Sequence, residues 1–342
     1  MSKQIPANPD ARLVGAFIAA GDSFVSGNDL ASLLGISRPA VWARLQRLEA
    51  TGFQFEAVRN KGHRLLKQPS VLHPALLDYW ACSRNLDLSF LYFPTIDSTN
   101  TEAERQFQQG RAAPFAIASS EQTAGRGRRG RTWISESAEN LYLTLALEPN
   151  MSPQLLSGLT LWAGIHLARG LNGHYLCSKK TTVATREIEL KWPNDLEWEG
   201  RKLGGLLTEA KSDSDGIRQL VIGLGLNVGL RPHLERGVAL ADITGKQAIC
   251  LNRLAVDCVR WLTDAYAALL AGQDCNGLAL ADAYAPLDRL RGKDVQAFRH
   301  RESLIGEACG IDQRGALLLR QVNGEVVAID AGEVTLQAGG IS

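Results

Sequence analysis

Gly125-Arg126-Gly127-Arg128-Arg129-Gly130-Arg131-Thr132-Trp133 is the stretch on which the rest of the chain depends. Its glycines allow tight turns and close backbone approach to a ligand. Its arginines supply permanent charge in forked donors suited to carboxylate or phosphate. The glycines spell G-x-G-x-x-G, which in a dinucleotide-binding unit lies between a strand and a helix N-terminus. Here the chain runs instead through Thr132-Trp133-Ile134 and Ser135-Glu136-Ser137 into the apolar run Leu141–Leu145, which reads as a strand. That context excludes a dinucleotide fold. A solvated basic turn has no use for glycines so spaced, so the stretch reads as a mobile anion-binding loop.

Working outward, Phe115–Ala118 is the strand that feeds the loop through Gln122, and Phe90–Phe93 is the strand before it. Between them lie Asp97-Ser98-Thr99-Asn100, where Thr99 and Glu102 have the spacing of a capping box for a helix through Gln109. The same hydroxyls and amides, just after a strand, are placed to hydrogen-bond a polar ligand. Ser152-Pro153 opens a long helix to Leu171, and the polar segment 172–187 reads as an exposed loop. Glu189–Trp192 is a strand that Pro193 stops, leaving Lys191 at its end beside Asn194 and Asp195. Glu199-Gly200 turns the chain back into Lys202–Leu207, whose adjacent Gly204 and Gly205 imply that something packs flat on the backbone. Gly223-Leu224-Gly225-Leu226-Asn227-Val228 carries the same implication. No G-x-x-x-x-G-K-[ST] occurs, which excludes a P-loop site.

The two ends differ from this centre. Arg12–Ala20, Gly27–Leu34 and a helix opening at Arg38-Pro39 form a three-helix set, with Ser26 and Ser37 as caps and Gly35 between the last two. Phe53–Val58 and His63–Leu66 then make a hairpin with the basic tip Arg59–Gly62. This is a winged helix-turn-helix. Ser37, Arg38, Trp42 and Arg44 are its candidate base contacts, and Lys61 and Arg64 its candidate phosphate contacts. Residues 1–69 hold nine Lys/Arg against five Asp/Glu, so the remainder of a chain with net charge +1 is acidic and the basic end favours nucleic acid. After the helix Asn252–Leu270, four short strands with turns at Gln313–Gly315 and Asn323-Gly324 read as a small β-barrel. The expected fold is therefore α+β in three parts: residues 1–68, a central mixed-sheet domain over 69–288, and a barrel over 289–342.

A chain of 342 residues can hold two or three such domains. It contains no apolar run of 18 residues, so neither a membrane span nor an export signal is expected. The six scattered cysteines contain no C-x-x-C pair, which disfavours zinc and fits free thiols in a reducing cytoplasm.

Five stretches in this order resemble the bifunctional bacterial biotin–protein ligases that also repress biotin operons. They are DSTN at 97–100, GRGRRGRTW at 125–133, KWPND at 191–195, KLGG at 202–205 and GLGLNV at 223–228. The resemblance covers nearly the whole chain and implies an SH3-like C-terminal barrel. It also implies an activity: biotin and ATP, with Mg²⁺, form biotinyl-5′-adenylate, and biotin then passes to a lysine of a biotin carboxyl carrier protein. On matching residues, Ser98, Thr99, Asn100 and Gln122 would hold the biotin head. Arg126, Gly127 and Arg128 would close over biotin and the adenylate phosphate. Lys191 would meet the carboxylate and α-phosphate, with Arg126 and Arg128 sharing the catalytic role, and no residue ligates a metal. Gly204, Gly205, Asn194 and Asn227 would line the pocket floor and nucleotide side. Operator DNA and a ligand-promoted homodimer are the further partners implied. One departure stands out: no Phe, Tyr or Trp occurs between Gly229 and Trp261, and Val238 lies where repressor members often carry an adenine-stacking aromatic. The competing readings are a ligase with a vestigial DNA-binding domain, a lipoate or octanoyl transferase, and a non-enzymatic sensor.

Overall fold

The computed structural model describes residues 6–135, 138–149, 151–176, 186–229, 237–245, 249–299, 302–330 and 332–336. The N-terminal module packs α1 (Pro9–Ala20), α2 (Gly27–Leu34) and α3 (Arg38–Glu49) beside a hairpin of β1 (Gln54–Val58) and β2 (Gly62–Lys67). α1 starts three residues earlier than Arg12, because Asn8 caps it and Pro9 supplies a pre-set first turn. Ser26 and Ser37 cap α2 and α3 as the sequence implies, and Gly35 between them takes the left-handed conformation. Leu13, Val14, Phe17, Leu30, Val41, Leu45 and Leu48 close the core of this module.

Next comes α4 (Pro74–Ser83), which serves two cores. Ala75 and Leu76 complete the N-terminal cluster, while Leu77 and Ala81 join the central one. The expected boundary at 68/69 thus falls just before a helix that both units share.

The central sheet contains β3 (Ser89–Ile96), β4 (Phe115–Gln122), β5 (Leu141–Leu147), β6 (Glu189–Lys191), β7 (Asp195–Trp198), β8 (Arg201–Asp213) and β9 (Gly216–Leu226). Their order is β3-β4-β5-β9-β8-β7-β6, with only β3 and β4 parallel. α5 (Thr99–Gln108) connects β3 to β4. A capping box is not formed there: the cap is Ser98, without a side-chain bond, and Thr99 turns its backbone N–H and hydroxyl to Gln122 instead. Tertiary partners have displaced the local capping chemistry.

The opposite face of the sheet is covered by α6 (Leu156–Leu171) and α8 (Leu251–Ala271), with the short α7 (Leu240–Thr244) and α9 (Leu280–Tyr284) beside them. A 3-10 turn at Pro153–Leu155 precedes α6, and Asn172–Leu176 prolongs it as a π turn. Tyr175 and Leu176 pack on the core, so the start of the polar segment is not a free loop; 177–185 lie outside the described residues. Helix packing here tolerates no added bulk: a methyl group on Gly170 would lie 2.2 Å from the Trp261 ring.

The C-terminal strands are β10 (Asp294–Arg299), β11 (Glu302–Ile311), β12 (Leu317–Arg320), β13 (Val326–Ile329) and β14 (Glu333–Leu336), in the antiparallel order β13-β12-β11-β10-β14. β14, which pairs back onto β10, is absent from the sequence reading: Glu333-Val334-Thr335-Leu336 alternates polar and apolar, but four residues are too short a run to stand out. Val295, Ala297, Leu317 and Leu319 run continuously into the central core. The Trp192 indole N–H also donates to the Gly315 carbonyl at 2.9 Å, tying this unit to the centre.

Candidate active site

Register decides which side chains meet. Lys191, Asp195, Gly205 and Gly225 stand opposite one another across β6, β7, β8 and β9. Side chains alternate along strands, so the neighbouring row of Leu190, Leu196, Gly204 and Leu226 points the other way. The first row faces the glycine–arginine loop and the second packs under α6, where Leu190 touches Gly164. A cleft of about 280 Å³ opens over the first row. Ser98, Thr99, Asn100 and Gln122 line it, as do Arg126, Gly127, Arg128, Lys191, Asn194 and Gly205. Gly204 does not line it, because alternation sends it to the core face. Asn227 is also absent: it is buried, its amide donating to the Lys202 carbonyl at 3.3 Å.

The glycines admit flat groups, as the sequence implies, and in this structure the flat group belongs to the chain itself. The Trp133 indole covers the floor, where a methyl on Gly225 would lie 2.3 Å from its ring and one on Gly205 3.2 Å. Lys202 Nζ stands 5.2 Å from the centroid of that ring and 2.8 Å from Asp195 Oδ1. Lys202, of the KLGG stretch, is thus a cleft residue that its sequence context does not single out. Lys191 also borders the cleft, but its Nζ lies 3.6 Å from buried Glu197, whose carboxyl is pushed up by burial against the pull of Lys191. Val238 is wholly buried and hydrogen-bonded to the Lys202 carbonyl at 3.0 Å, so it presents nothing to a ligand. Trp133 and Trp192 are the aromatics that line the cleft among the described residues, while 230–236 lie outside them.

At the other side of the cleft the groups are neutral. Gln122 Oε1 accepts from the Thr99 N–H at 2.8 Å and its hydroxyl at 3.1 Å, while Gln122 Nε2 donates to Ser135 Oγ at 2.9 Å. Asn100 is saturated from within: Thr144 Oγ1 donates to its Oδ1 at 2.7 Å, and its Nδ2 reaches the Leu207 carbonyl and Glu209 at 3.2 and 2.8 Å. It therefore builds the floor rather than offering free groups to a ligand. Arg105 pairs with Asp97 and holds its carboxyl below the usual range, fixing the turn that presents Ser98 and Thr99.

In the loop, Arg128 Nη1 donates to Asn194 Oδ1 at 3.3 Å, and Asn194 Nδ2 donates to the Leu206 carbonyl at 2.7 Å. Asn194 thus aims Arg128. Burial and the neighbouring Arg129 lower the Arg128 pKa, though a guanidinium remains charged. Arg131 pairs with Glu333, so β14 of the C-terminal unit closes one wall of the cleft.

On the N-terminal module, Arg38 and Trp42 are exposed on α3, Trp42 at 58%. Arg44 lies 2.6 Å from Asp10 and so is held back from a base edge. Arg47, not anticipated, is exposed on α3. Ser37 spends its hydroxyl on the Ala40 N–H. In the wing, Arg64 pairs with Glu56 and, like Lys61, stands over the Phe24 ring.

Fold and cleft define an acyl-activating ligase preceded by a helix-turn-helix module. Residues 92–227 match the biotin/lipoate A/B protein ligase family, 15–64 an HTH domain, and 292–336 the biotin protein ligase C-terminal domain. The chain is 32% identical over 328 residues to the bifunctional ligase/repressor BirA of Escherichia coli (strain K12), covering 94% of this chain and 96% of that protein. It is 29% identical over 319 residues to the protein so named in Bacillus subtilis (strain 168), covering 91% and 94%. Among solved structures, the biotin protein ligase of Aquifex aeolicus in complex with biotin and ATP shares the fold, with TM-score 0.58 and 24% identity over 73% of this chain and 99% of that one. The chain belongs to the biotin protein ligase family.

Proposed function

We propose that the cleft joins biotin to ATP and passes the biotinyl group to a lysine of a biotin carboxyl carrier protein. The observation that carries this reading is the split polarity of the cleft over a glycine floor. Neutral hydrogen-bonding groups, Ser98, Thr99 and Gln122, lie at the β3–β4 side. Cations, Lys202, Lys191 and Arg128, lie toward β8, β7 and β6. A ligand with an uncharged polar head and a carboxylate tail matches that order.

In the first step a biotin carboxylate oxygen bonds to the α-phosphorus of ATP and pyrophosphate leaves. Two anions must approach, and Lys202, Lys191 and Arg128 offset their repulsion and the charge that develops. Both lysines are paired with a carboxylate, Lys202 with Asp195 at 2.8 Å and Lys191 with Glu197 at 3.6 Å, so either ammonium must turn from its partner to meet the reacting anions. In the second step a neutral lysine amine attacks the acyl carbon and AMP leaves. No protein nucleophile is required. Mg²⁺ would screen the phosphates. Among the described residues no group of three or more His, Cys, Asp or Glu could cage it, which suits an ion carried by the nucleotide with Asp195 at hand. A second role, biotin-responsive repression at operator DNA, is supported by the helix-turn-helix and the repressor relatives, and we propose a ligand-promoted dimer as the repressing form.

Biotin-dependent exchange of labelled pyrophosphate into ATP tests the chemistry. Lys191→Ala and Lys202→Ala should each lower the exchange rate about 100-fold, the typical cost of losing a group that meets transition-state charge. Exchange supported by lipoate but not biotin would overturn the substrate assignment.

A further inference from the structure

Glu209 is not among the residues that the resemblance or the cleft reading assigns a role, yet it joins three parts of the site. It sits on β8, with its side chain 34% exposed beside the arginine loop. Its Oε2 accepts from Asn100 Nδ2 at 2.8 Å and also pairs with the Arg126 guanidinium. Asn100 in turn accepts from Thr144 on β5 and fills the space left by Gly223, where a methyl would lie 2.4 Å from Asn100 Oδ1. A continuous chain of contacts therefore runs from the sheet floor through Asn100 and Glu209 to the loop. A second acid, Glu104 on α5, lies 3.7 Å from Arg126 but is itself 3.2 Å from Lys211 and so divided between two cations.

We propose that Glu209 is a positioning residue that anchors the loop to the cleft floor, its single carboxylate setting both the Asn100 amide and Arg126. The idea rests on the reading of the loop as the cover of the biotin cleft, but the contacts of the anchor are all within the chain and can be tested without any substrate. A charge-assisted contact orders a glycine-rich segment that would otherwise sample many conformations. With the anchor gone, the loop opens more often, and both proteolytic access and escape of a bound intermediate rise with the open population.

The test uses the full-length chain, without ligand, and trypsin, with nicking followed at Arg128 and Arg129. Glu209→Gln keeps an acceptor for Asn100 but removes the charge facing Arg126. It should speed nicking about threefold, the scale of a part-exposed ion pair, with the thermal midpoint unchanged. Glu209→Ala should nick at least as fast. Arg126→Glu combined with Glu209→Arg should nick more slowly than either single change, a rescue that a merely structural role would not give. With biotin and ATP, Glu209→Gln should release adenylate faster and raise the KM for biotin more than it lowers kcat. Wild-type nicking in both Glu209→Gln and Glu209→Ala would overturn the anchor. Altered nicking with no biotin-dependent chemistry in any variant would leave the anchor standing and refute the function above.

Discussion

At the scale of single residues, the account turns on what each glycine leaves room for. Gly225 is the sharpest case, because a methyl there collides with the Trp133 ring at 2.3 Å. Gly225→Ala should therefore displace Trp133 and cut adenylate formation at least about tenfold, since small misplacements of positioning groups are costly. Biotin-dependent pyrophosphate exchange, beside a circular-dichroism melt, checks this. An unchanged rate would mean that Trp133 does not shape the site. Arg128→Gly addresses the cover rather than the floor. It should leak biotinyl-adenylate, read as labelling of lysines on a bystander protein; labelling confined to the carrier lysine would deny Arg128 that role. The glycines and arginines were legible because their chemistry is unusual at any position. Lys202 and Glu209 were not, since a lysine or glutamate in a strand looks the same whether it faces solvent or a cleft. Only register and alternation tell them apart, and the same rule removed Gly204 from the floor.

At the scale of elements, α4 is the part that the sequence does not explain. Its apolar residues face two ways, which breaks the single-stripe pattern from which a helix is read. The junction at its N-terminus is built around His73. The Ala75 N–H donates to His73 Nδ1 at 3.2 Å, so the ring is neutral and its Nε2–H is left to donate to Thr51 Oγ1 at 3.1 Å. The His73 backbone N–H donates to Asn252 Oδ1 on α8 at 2.7 Å, linking both units at one residue. Burial lowers the His73 pKa, opposed by Asp10, and burial also lowers those of His63 and His166. A histidine pKa lower in the folded than the unfolded state means the unfolded chain binds more protons near pH 6. Stability from this source is complete above about 6.5, the unfolded value, and is lost as pH falls through the folded value. The thermal midpoint should thus drop between pH 7.5 and 5.5. His73→Asn, which keeps an N-cap acceptor but cannot charge, should make that drop smaller. Equal slopes for the two proteins would show that the junction does not titrate. The helices with ordinary caps, α2 and α3, were readable to the residue. α5 was misread at its start because Gln122, distant in sequence, took the groups that a capping box would use.

At the scale of the whole molecule, the central and C-terminal units share one continuous interior, and the N-terminal unit keeps its own core beside it through α4. The cleft draws on the first two through the Arg131–Glu333 pair. The order of the units was legible because each carries its own pattern: capped short helices, glycine-broken strands, then short strands with tight turns. Their fusion was not, since contacts such as Trp192 to Gly315 and Arg84 to Asp257 join residues far apart in the chain. DNA binding belongs to this scale. Arg38→Ala should weaken binding to the biotin-synthesis promoter by about 1 kcal/mol or more if it meets a base, and leave ligation intact. Arg44→Ala should act mainly through its lost pairing with Asp10, lowering the thermal midpoint as well as affinity. Footprints with and without biotin and ATP check both variants and the coupling; protection that ignores the ligands would refute the coupling. The central claim, however, is the ligase chemistry. Its most direct test is intact-mass measurement of a biotin carrier domain incubated with this protein, ATP, Mg²⁺ and biotin. One biotinyl group should appear on one lysine, only when ATP and biotin are both present. A carrier whose mass does not change, while the protein remains folded, would contradict the account.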